Sequence, residues 1–578
     1  MEITYNNTAK RFVIRCSFLE NKLIENLPAR RFHKRSASWY APTLARNAEF
    51  LLTNLREHMS PEAIKVAEEK SARKQIRRER FPSWYPFKTT PFAKQKEALD
   101  YIWGLDEFAL FMEMGTGKSK IYIDYFSARM MSSDINVAVI FCKASLIENW
   151  VEQIEIHCPL SDVPVFRADG FTTQKKLDKF IGGTRAAERA WIIAGIESMQ
   201  SKYQDGRTYH AILGSVVDRK YDVGIDESHL VKGYDSNRSR NVEFLSQAAL
   251  SRGIGTGTPL DSQGVLDLYM QFQILNPDIL GIGSFYGYRN RYAEYGGYEN
   301  KEVVGYKNTD ELFDLLRPYV FECRKSEVVD LPEKSYSYRV VNPTKEQQEI
   351  YRSVMKKVET DLSNYGVRGQ HKMEHDNVLM RYNLAQQIAG GFVYYDEVRE
   401  VREFDGDEFC DTVRRTHWII PPERNPKIIE LLDVAESRSS SKIIIWAKFR
   451  NEIAMIVEAL SNLYGEDSVQ QYHGGFSKSD NRKHLNLFKH SDSSRFFVST
   501  QSAAGTGETI IESDTTVYYS NSLKLIDRLQ SEDRNHRIGQ KNPVLYVDLL
   551  CKGTKDEGIH EAIKAKKDIL DYVREGVR

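Results

Sequence analysis

From about residue 85 onward, short apolar runs recur along the chain, each bounded by polar or glycine-rich turns: "NVAVIFC", "AWIIAG", "YDVGID" and "GIGTGTP". Between them lie stretches with helical spacing of apolar residues, such as "LIENWVEQIEIHC" and "NVEFLSQAAL". Apolar runs of this length read as strands buried on both faces, and their alternation with helices predicts a parallel sheet covered on both sides. A second block with the same rhythm starts near Asn425, carrying "KIIIWAKF", "SVQQYHG", "RFFVST", "TTVYYSN" and "VLYVDLL". The intervening stretch from about 340 to 420, opening with "TKEQQEIYRSVMKKVETDL", reads as helical and charged. Near the N-terminus, alternation in "RFVIRCSF" predicts a strand. The pattern divides the chain into an N-terminal α+β appendage (1–65), a basic linker (66–84), an α/β lobe (85–335), a helical inter-lobe region (336–424) and a second α/β lobe with a C-terminal helix (425–578).

Length and composition agree with this division. The 578 residues correspond to roughly four units of about 150 residues. A hydrophobic fraction of 41% and a charged fraction of 28% suit globular domains with proper cores. Lys plus Arg and Asp plus Glu are both 81, so any nucleic-acid surface must arise from local sorting of charge. One such cluster is "KSARKQIRRER" (70–80), with a single acid, Glu79; a solvated helix face or linker is the plain alternative. The six cysteines are scattered, with no C-x-x-C pair, which argues against a zinc site or a disulfide framework and favours a reducing cytosol. No apolar run reaches the roughly 18 residues of a membrane span, and "MEITYNNTAKRF" has no signal-peptide core. An intracellular, cytoplasmic protein is expected.

Candidate chemistry begins with "MEMGTGKS" (112–119), which follows the apolar "FALF" and precedes the helical "KIYIDYFSARMM". A strand, a glycine loop and a helix N-terminus in succession let backbone N–H groups surround a phosphate. The loop residues Met114, Gly115, Thr116 and Gly117 would form the cradle, Lys118 would reach the β- and γ-phosphates, and Ser119 would bind Mg²⁺. The G-x-x-x-x-G-K-[ST] pattern fails at its first position, Met112, so the loop alone also fits an ordinary turn. "VGIDESHL" (223–230) adds two adjacent acids at a strand end. Asp226 would hold Mg²⁺ and Glu227 would orient or deprotonate water. Acids that merely cap a strand are the alternative, and the two motifs together predict a Mg-ATP hydrolysis site. Late in the chain, "QSEDRNHRIGQ" (530–540) sets Arg534 and Arg537 three apart, on one face if helical, with Gly539 as a helix end. Guanidinium pairs of this kind await a carboxylate or phosphate.

"DESH", "GTGTPLDSQGVLDLYMQFQILNP" (255–277) and "QSEDRNHRIGQ", in this order and spacing, resemble the Swi/Snf-like branch of superfamily-two DNA translocases. "PFAKQKEAL", "CKASLIENW", "RKSEVVDLPEK", "KIIIWAKFRNEI", "QYHGGFSKSDNR" and "STQSAAGTGE" resemble further motifs of that family, so the likeness covers about residues 85 to 560. It implies two RecA-like lobes and ATP hydrolysis between them. It also implies adenine contact by Gln95, nucleotide contact by Gln530, and a face-off of Arg534 and Arg537 with the γ-phosphate held by Lys118. DNA contact would come from Ser145, Asn149 and Trp150. His229, Thr256 and Thr258 would couple nucleotide state to lobe movement; as residues alone, a satisfied histidine and strand-end hydroxyls are the alternatives. Two departures stand out. Ser228 replaces the usual alanine of the D-E-x-H box, an exchange expected to be harmless, and Glu508 and Thr509 replace an apolar–Asn pattern. No histone-reading module is visible.

The N-terminal "LIENLPARRFHKRSASWYAP" weakly resembles the HARP module of annealing helicases. That likeness implies phosphate contacts from Arg30, Arg31, Lys34 and Arg35 and base stacking by Trp39 and Tyr40 at a DNA junction. Alternatively, Trp39 and Tyr40 anchor a small core. The expectation is an ATP- and Mg-dependent translocase on duplex, forked or branched DNA, acting in fork regression, branch migration or annealing, in a bacterial or phage-infected cell. Rival readings are a conventional strand-unwinding helicase and an ATP-dependent clamp or transcription-complex remodelling factor.

Overall fold

The computed structural model describes the chain apart from residues 7–10, 18, 26, 28–30, 34–35, 43–44, 72–78, 203, 205, 261–262, 297–301, 330, 357–358, 362–371, 375–377, 405–406, 502–508 and 578. The backbone forms two compact units, Met1–Val328 with Ile569–Arg578, and Val329–Asp568.

The first unit opens with a four-stranded antiparallel sheet. Its strands run in the order Glu2–Asn6, Arg11–Arg15, Ser38–Pro42, Arg31–His33. The helices Ala45–Leu55 and Pro61–Ser71 cover it, burying Ala48, Leu51, Leu55, Ala63 and Ala67 against Ile3, Phe12 and Ile14. The second of these helices continues past the boundary expected at 65, because "EAIKVAEEKS" holds its apolar residues on one face through Ala67. Most of the predicted basic run, 72–78, lies outside the described residues.

The remainder of this unit is the expected parallel sheet. Its seven strands lie in the order Val320–Cys323, Glu107–Met112, Arg252–Gly255, Tyr221–Asp226, Val137–Cys142, Ala190–Gly195, Val165–Arg167. All six residues of "VAVIFC" and of "AWIIAG" are buried, as strands covered on both faces require. The helix Lys118–Met131 packs its aromatic residues on the sheet: Tyr122, Tyr125 and Phe126 are fully covered beside Phe108 and Trp191. Two of its basic residues are ion-paired, Lys120 with Asp124 at 2.8 Å and Arg129 with Asp222 at 2.5 Å, as burial favours.

The second unit carries a six-stranded parallel sheet in the order Lys334–Val341, Val544–Cys551, Thr515–Tyr518, Ile443–Trp446, Phe496–Ser499, Val469–Tyr472. The five strands expected from the apolar runs are all present. The sixth, "KSYSYRVV", was not expected. It is an edge strand that exposes seven of its eight residues wholly or partly outward, among them Tyr336, Tyr338 and Val340, so it lacks the apolar run of an interior strand. The region expected to be helical is so only in part. Helices Lys345–Lys356 and Val378–Gly390 are followed by a long antiparallel hairpin, Phe392–Phe404 with Asp407–Trp418, paired from Phe392↔Trp418 to Phe404↔Asp407. Its period-two signal is diluted by charge in "FVYYDEVREVREF". Among the described residues no helix is long and apolar enough to cross a membrane.

Candidate active site

The strand Glu107–Met112 delivers the chain to the loop 113–117, and the helix Lys118–Met131 starts directly afterwards with Gly117 in left-handed backbone (φ +85°). Only glycine fits there, since a Cβ would stand 2.0 Å from the Gln95 amide nitrogen. Gln95 is buried at this position. Its Oε1 accepts from Phe92 N–H at 2.8 Å, and its Nε2 donates to Gly117 O at 3.4 Å and Thr116 O at 3.5 Å. The residue expected at the adenine is thus fastened to the phosphate loop. Lys118 is buried, with its ammonium donating to Met112 O (2.8 Å) and Glu113 O (3.3 Å), so the loop's own carbonyls hold the cation. Ser119 is the second residue of the helix and half-buried, while Met114 and Gly115 form the outer rim of the loop.

The strand Tyr221–Asp226 ends at the same edge of the sheet. Glu227 turns the chain sharply with φ +56°, a left-handed conformation that is strained for glutamate and typical of functional sites. Asp226 is buried, and burial together with the neighbouring Glu227 pushes its carboxyl up to about 6. Its Oδ2 accepts from the Trp150 indole N–H at 3.0 Å and its Oδ1 from Glu227 N–H at 3.1 Å. Burial would raise Glu227 too, but His229, Lys118 and Thr256 outweigh it and bring it down to about 2. Adjacent carboxyls pushed apart in this way suit different roles: one that a cation would hold ionised, and one ionised already.

The coupling candidates converge on Glu227. His229 Nδ1 lies 3.3 Å from Glu227 Oε2 and 3.2 Å from Thr256 Oγ1, and Thr256 Oγ1 donates to Glu227 Oε2 at 3.3 Å. Thr258 N–H donates to Thr256 Oγ1 at 3.0 Å. Gly257 between them closes on the phosphate loop, for a Cβ there would meet Met114 N at 3.1 Å and Met112 O at 3.3 Å. The segment "TGTP" is therefore packed directly against the loop.

Two sequence expectations need correction here. Trp150 is 1% exposed and hydrogen-bonded to Asp226, so it supports the acidic pair instead of touching DNA; Ser145 and Asn149, on the same segment, are exposed. Ser228 is not an idle replacement for alanine. Its hydroxyl donates to Gln271 Oε1 at 2.6 Å in a fully buried position, and Gln271 Nε2 donates onward to Pro259 O (2.8 Å) and Asp267 O (2.9 Å). Neither link was legible beforehand, because each joins residues far apart in the chain.

In the second unit the helix Leu525–Glu532 ends before the arginines. Arg534 and Arg537 sit on a turn, not on one helix face, and Gly539 (φ +102°) closes that turn. The turn is stapled by Gln540, whose Nε2 donates to the carbonyls of Ile511, Ser513 and Asn535 at 3.0–3.1 Å. Arg534 is 4% exposed and its carbonyl accepts from Ile510 N–H at 2.7 Å. Arg537 is half-buried, donating to Asp533 O (2.8 Å) and Thr509 Oγ1 (3.0 Å). Gln530 lies half-buried on the preceding helix, and Glu508 falls outside the described residues. A buried ion-pair network underlies the turn: Arg528 grips Asp548 with both terminal nitrogens (2.5 and 3.0 Å) and Glu532 with Nε (2.8 Å).

In the N-terminal module, Arg30, Lys34 and Arg35 lie outside the described residues, and Arg31 pairs with Tyr40 in the sheet. Trp39 is half-buried against the module core, its ring 5.2 Å from Phe32, and the Arg11 guanidinium covers the Tyr40 ring at 3.9 Å. Both aromatics are engaged in the module itself.

A phosphate loop backed by an acidic pair, with a second parallel-sheet unit bearing an arginine turn in the same chain, defines the class of two-part P-loop ATPase cores. The family is more specific: residues 94–389 match the SNF2-related domain and residues 423–539 the helicase conserved C-terminal domain, and the chain belongs to the SNF2-related family. It is 21% identical over 499 residues to the Caenorhabditis elegans SWI/SNF-related matrix-associated actin-dependent regulator of chromatin subfamily A containing DEAD/H box 1 homolog, covering 81% of this chain and 49% of that protein. It is 20% identical over 485 residues to ATP-dependent helicase fft1 of Schizosaccharomyces pombe, covering 78% and 49%. Among solved structures, the Sulfolobus solfataricus SWI2/SNF2 ATPase core in complex with dsDNA shares 19% identity, covering 86% of this chain and 95% of that one, with a TM-score of 0.36. The chain spans about half the length of the two curated relatives.

Proposed function

We propose that this protein is a DNA-dependent ATPase that translocates on double-stranded DNA and remodels forked or branched structures. The observation that carries the reading is the packed constellation of Lys118, Asp226, Glu227, His229 and Thr256 around one loop, in a chain of the SNF2-related family. On ATP binding, Lys118 exchanges the carbonyls of Met112 and Glu113 for phosphate oxygens. Glu227, ionised and aimed by His229 and Thr256, orients the attacking water. The donor set fits magnesium, because Asp226 is a buried carboxylate whose charge a cation would compensate. Asp226 and Ser119 would hold the ion, which would screen the phosphate charge. Arg534 and Arg537 complete the site on lobe closure and stabilise the charge of the transferring phosphoryl group, an effect worth roughly 10³–10⁵ in rate. Gln95 and Gln530 contact the nucleotide, and Ser145 and Asn149 the DNA.

The N-terminal module directs the motor to junctions, as a HARP-like segment would, in repair, recombination or replication within the cytoplasm. By that likeness Arg30, Arg31, Lys34 and Arg35 are its phosphate-binding candidates. The test is fork regression on a model replication fork against strand displacement on a tailed duplex. Regression supports the reading. Displacement without regression makes the protein an unwinding helicase, and neither product, with ATPase indifferent to DNA, makes it a clamp or remodelling factor.

A further inference from the structure

The phosphate loop contains an acid, Glu113, directly after the strand Glu107–Met112, where a carboxylate facing a triphosphate would repel it. The fold turns that carboxylate to another use. The edge strand Val320–Cys323 runs parallel to Glu107–Met112 with Cys323 opposite Met112, so the chain leaves it beside the loop. There Glu113 N–H donates to Cys323 O at 3.0 Å, and Glu113 Oε2 accepts from Lys325 N–H at 2.9 Å. Lys325 opens a short helical turn, Lys325–Glu327. Glu327 lies 3.5 Å from the ammonium of Lys94, the neighbour of Gln95 on the helix Ala93–Ile102. The turn is therefore held by the loop on one side and by the helix bearing Gln95 on the other.

Lys325 is 6% exposed, and its side chain ends at the loop. A Cβ on Gly115 would stand 3.3 Å from Lys325 Cε and 3.9 Å from its Nζ. Gly115 also has φ +79°, so glycine there allows both the left-handed backbone and the close approach of the lysine. Lys118 meets the same loop from the helix start, through the carbonyls of Met112 and Glu113. Two lysines thus attend one loop, from separate elements. We propose that Lys325 is a second cation of the phosphate loop, contacting the phosphates of the bound nucleotide beside Gly115, with Glu113 as the residue that positions it. A lysine is a point charge on a flexible four-carbon stem, so its ammonium can turn to a phosphate oxygen while Glu113 keeps its backbone in place. The inference rests on the nucleotide-site reading above. Local sequence does not reveal the pair, because Glu113 and Lys325 are 212 residues apart.

The test is equilibrium binding of Mg-ATP, and of adenosine, which lacks phosphate, to the full chain. Lys325→Met keeps an apolar stem against Gly115 and removes the charge. It should weaken ATP binding by about tenfold or more, the worth of one charge-assisted hydrogen bond, and leave adenosine binding unchanged. Lys325→Arg, which retains the charge, should bind ATP more tightly than Lys325→Met. Glu113→Ala frees the Lys325 backbone and should weaken ATP binding by less, again sparing adenosine; it carries the test if Lys325→Met does not fold. Unchanged ATP binding, or an equal loss for ATP and adenosine, in the variant that carries the test overturns the proposal. If the unmodified protein binds no ATP, the nucleotide-site reading falls instead, so the two failures are distinguishable.

Discussion

Replacing Trp150 with phenylalanine isolates the support of Asp226 from any role in DNA contact. The substitution keeps an aromatic ring in the core but removes the indole N–H that reaches Asp226 Oδ2 at 3.0 Å. A hydrogen bond to a charged group is worth about 1.5–3 kcal/mol, and removing a partner that orients a metal ligand costs about 10–100-fold in metal affinity or activity. Asp226 already titrates near 6 because burial and Glu227 disfavour its charge, and the indole is among the groups that oppose them. Without it the carboxyl rises further, so the acid limb of the ATPase profile moves to higher pH. The assay is ATP hydrolysis as a function of Mg²⁺ and of pH, with DNA binding measured in parallel. The half-maximal Mg²⁺ concentration should rise at least about tenfold, with DNA affinity unchanged. A lower melting temperature accompanies it, since Trp150 is fully packed beside Tyr122 and phenylalanine leaves a void. An unchanged Mg²⁺ response with weakened DNA binding would refute the reasoning and return Trp150 to the DNA interface.

Lys118→Ala and Glu227→Gln should each abolish DNA-stimulated hydrolysis while DNA binding survives; turnover in either variant, measured by phosphate release, contradicts the site. Arg534→Ala should slow hydrolysis by roughly 10³-fold with little change in ATP affinity, because its contact is made mainly in the transition state; single-turnover kinetics separate the two. Ser228→Ala removes the donor to Gln271 Oε1 and should destabilise by about 1–3 kcal/mol, read as a lower denaturant midpoint; no change would restore the view that this exchange is harmless. Glu532, ordinarily near 4.5, is depressed in the folded chain, so its contribution is complete above that pH and is lost as pH falls. Glu532→Gln should therefore lower stability at neutral pH and flatten the acid limb of the unfolding curve.

Much of the fold was legible because both lobes bury their strands on two faces, which writes each strand as an uninterrupted apolar run. "AWIIAG" and "KIIIWAKF" could be read locally for that reason. The edge strand Lys334–Val341 and the hairpin Phe392–Trp418 were not legible, since exposed positions interrupt the pattern of the first and charged residues that of the second. At the site, the positions of Lys118, Asp226 and Glu227 followed from strand–loop spacing. The partners that set their properties, Trp150 on Asp226 and Gln271 on Ser228, are brought in by tertiary packing and leave no mark in the local sequence. The condition that Arg534 and Arg537 lie on a helix is not met, because the spacing of charges says nothing about Gln540, whose side chain holds the turn.

On the proposed function, ATP is hydrolysed at the loop around Lys118 with arginines supplied by the second lobe, and double-stranded DNA drives this. Steady-state turnover compared across no DNA, single-stranded DNA, duplex and forked DNA, for the unmodified protein and Arg534→Ala, tests it most directly. Turnover should be strongly stimulated by duplex, at least as much by forks, and the stimulation should be lost in the variant. Turnover indifferent to DNA, or a variant stimulated as fully as the unmodified protein, would contradict it.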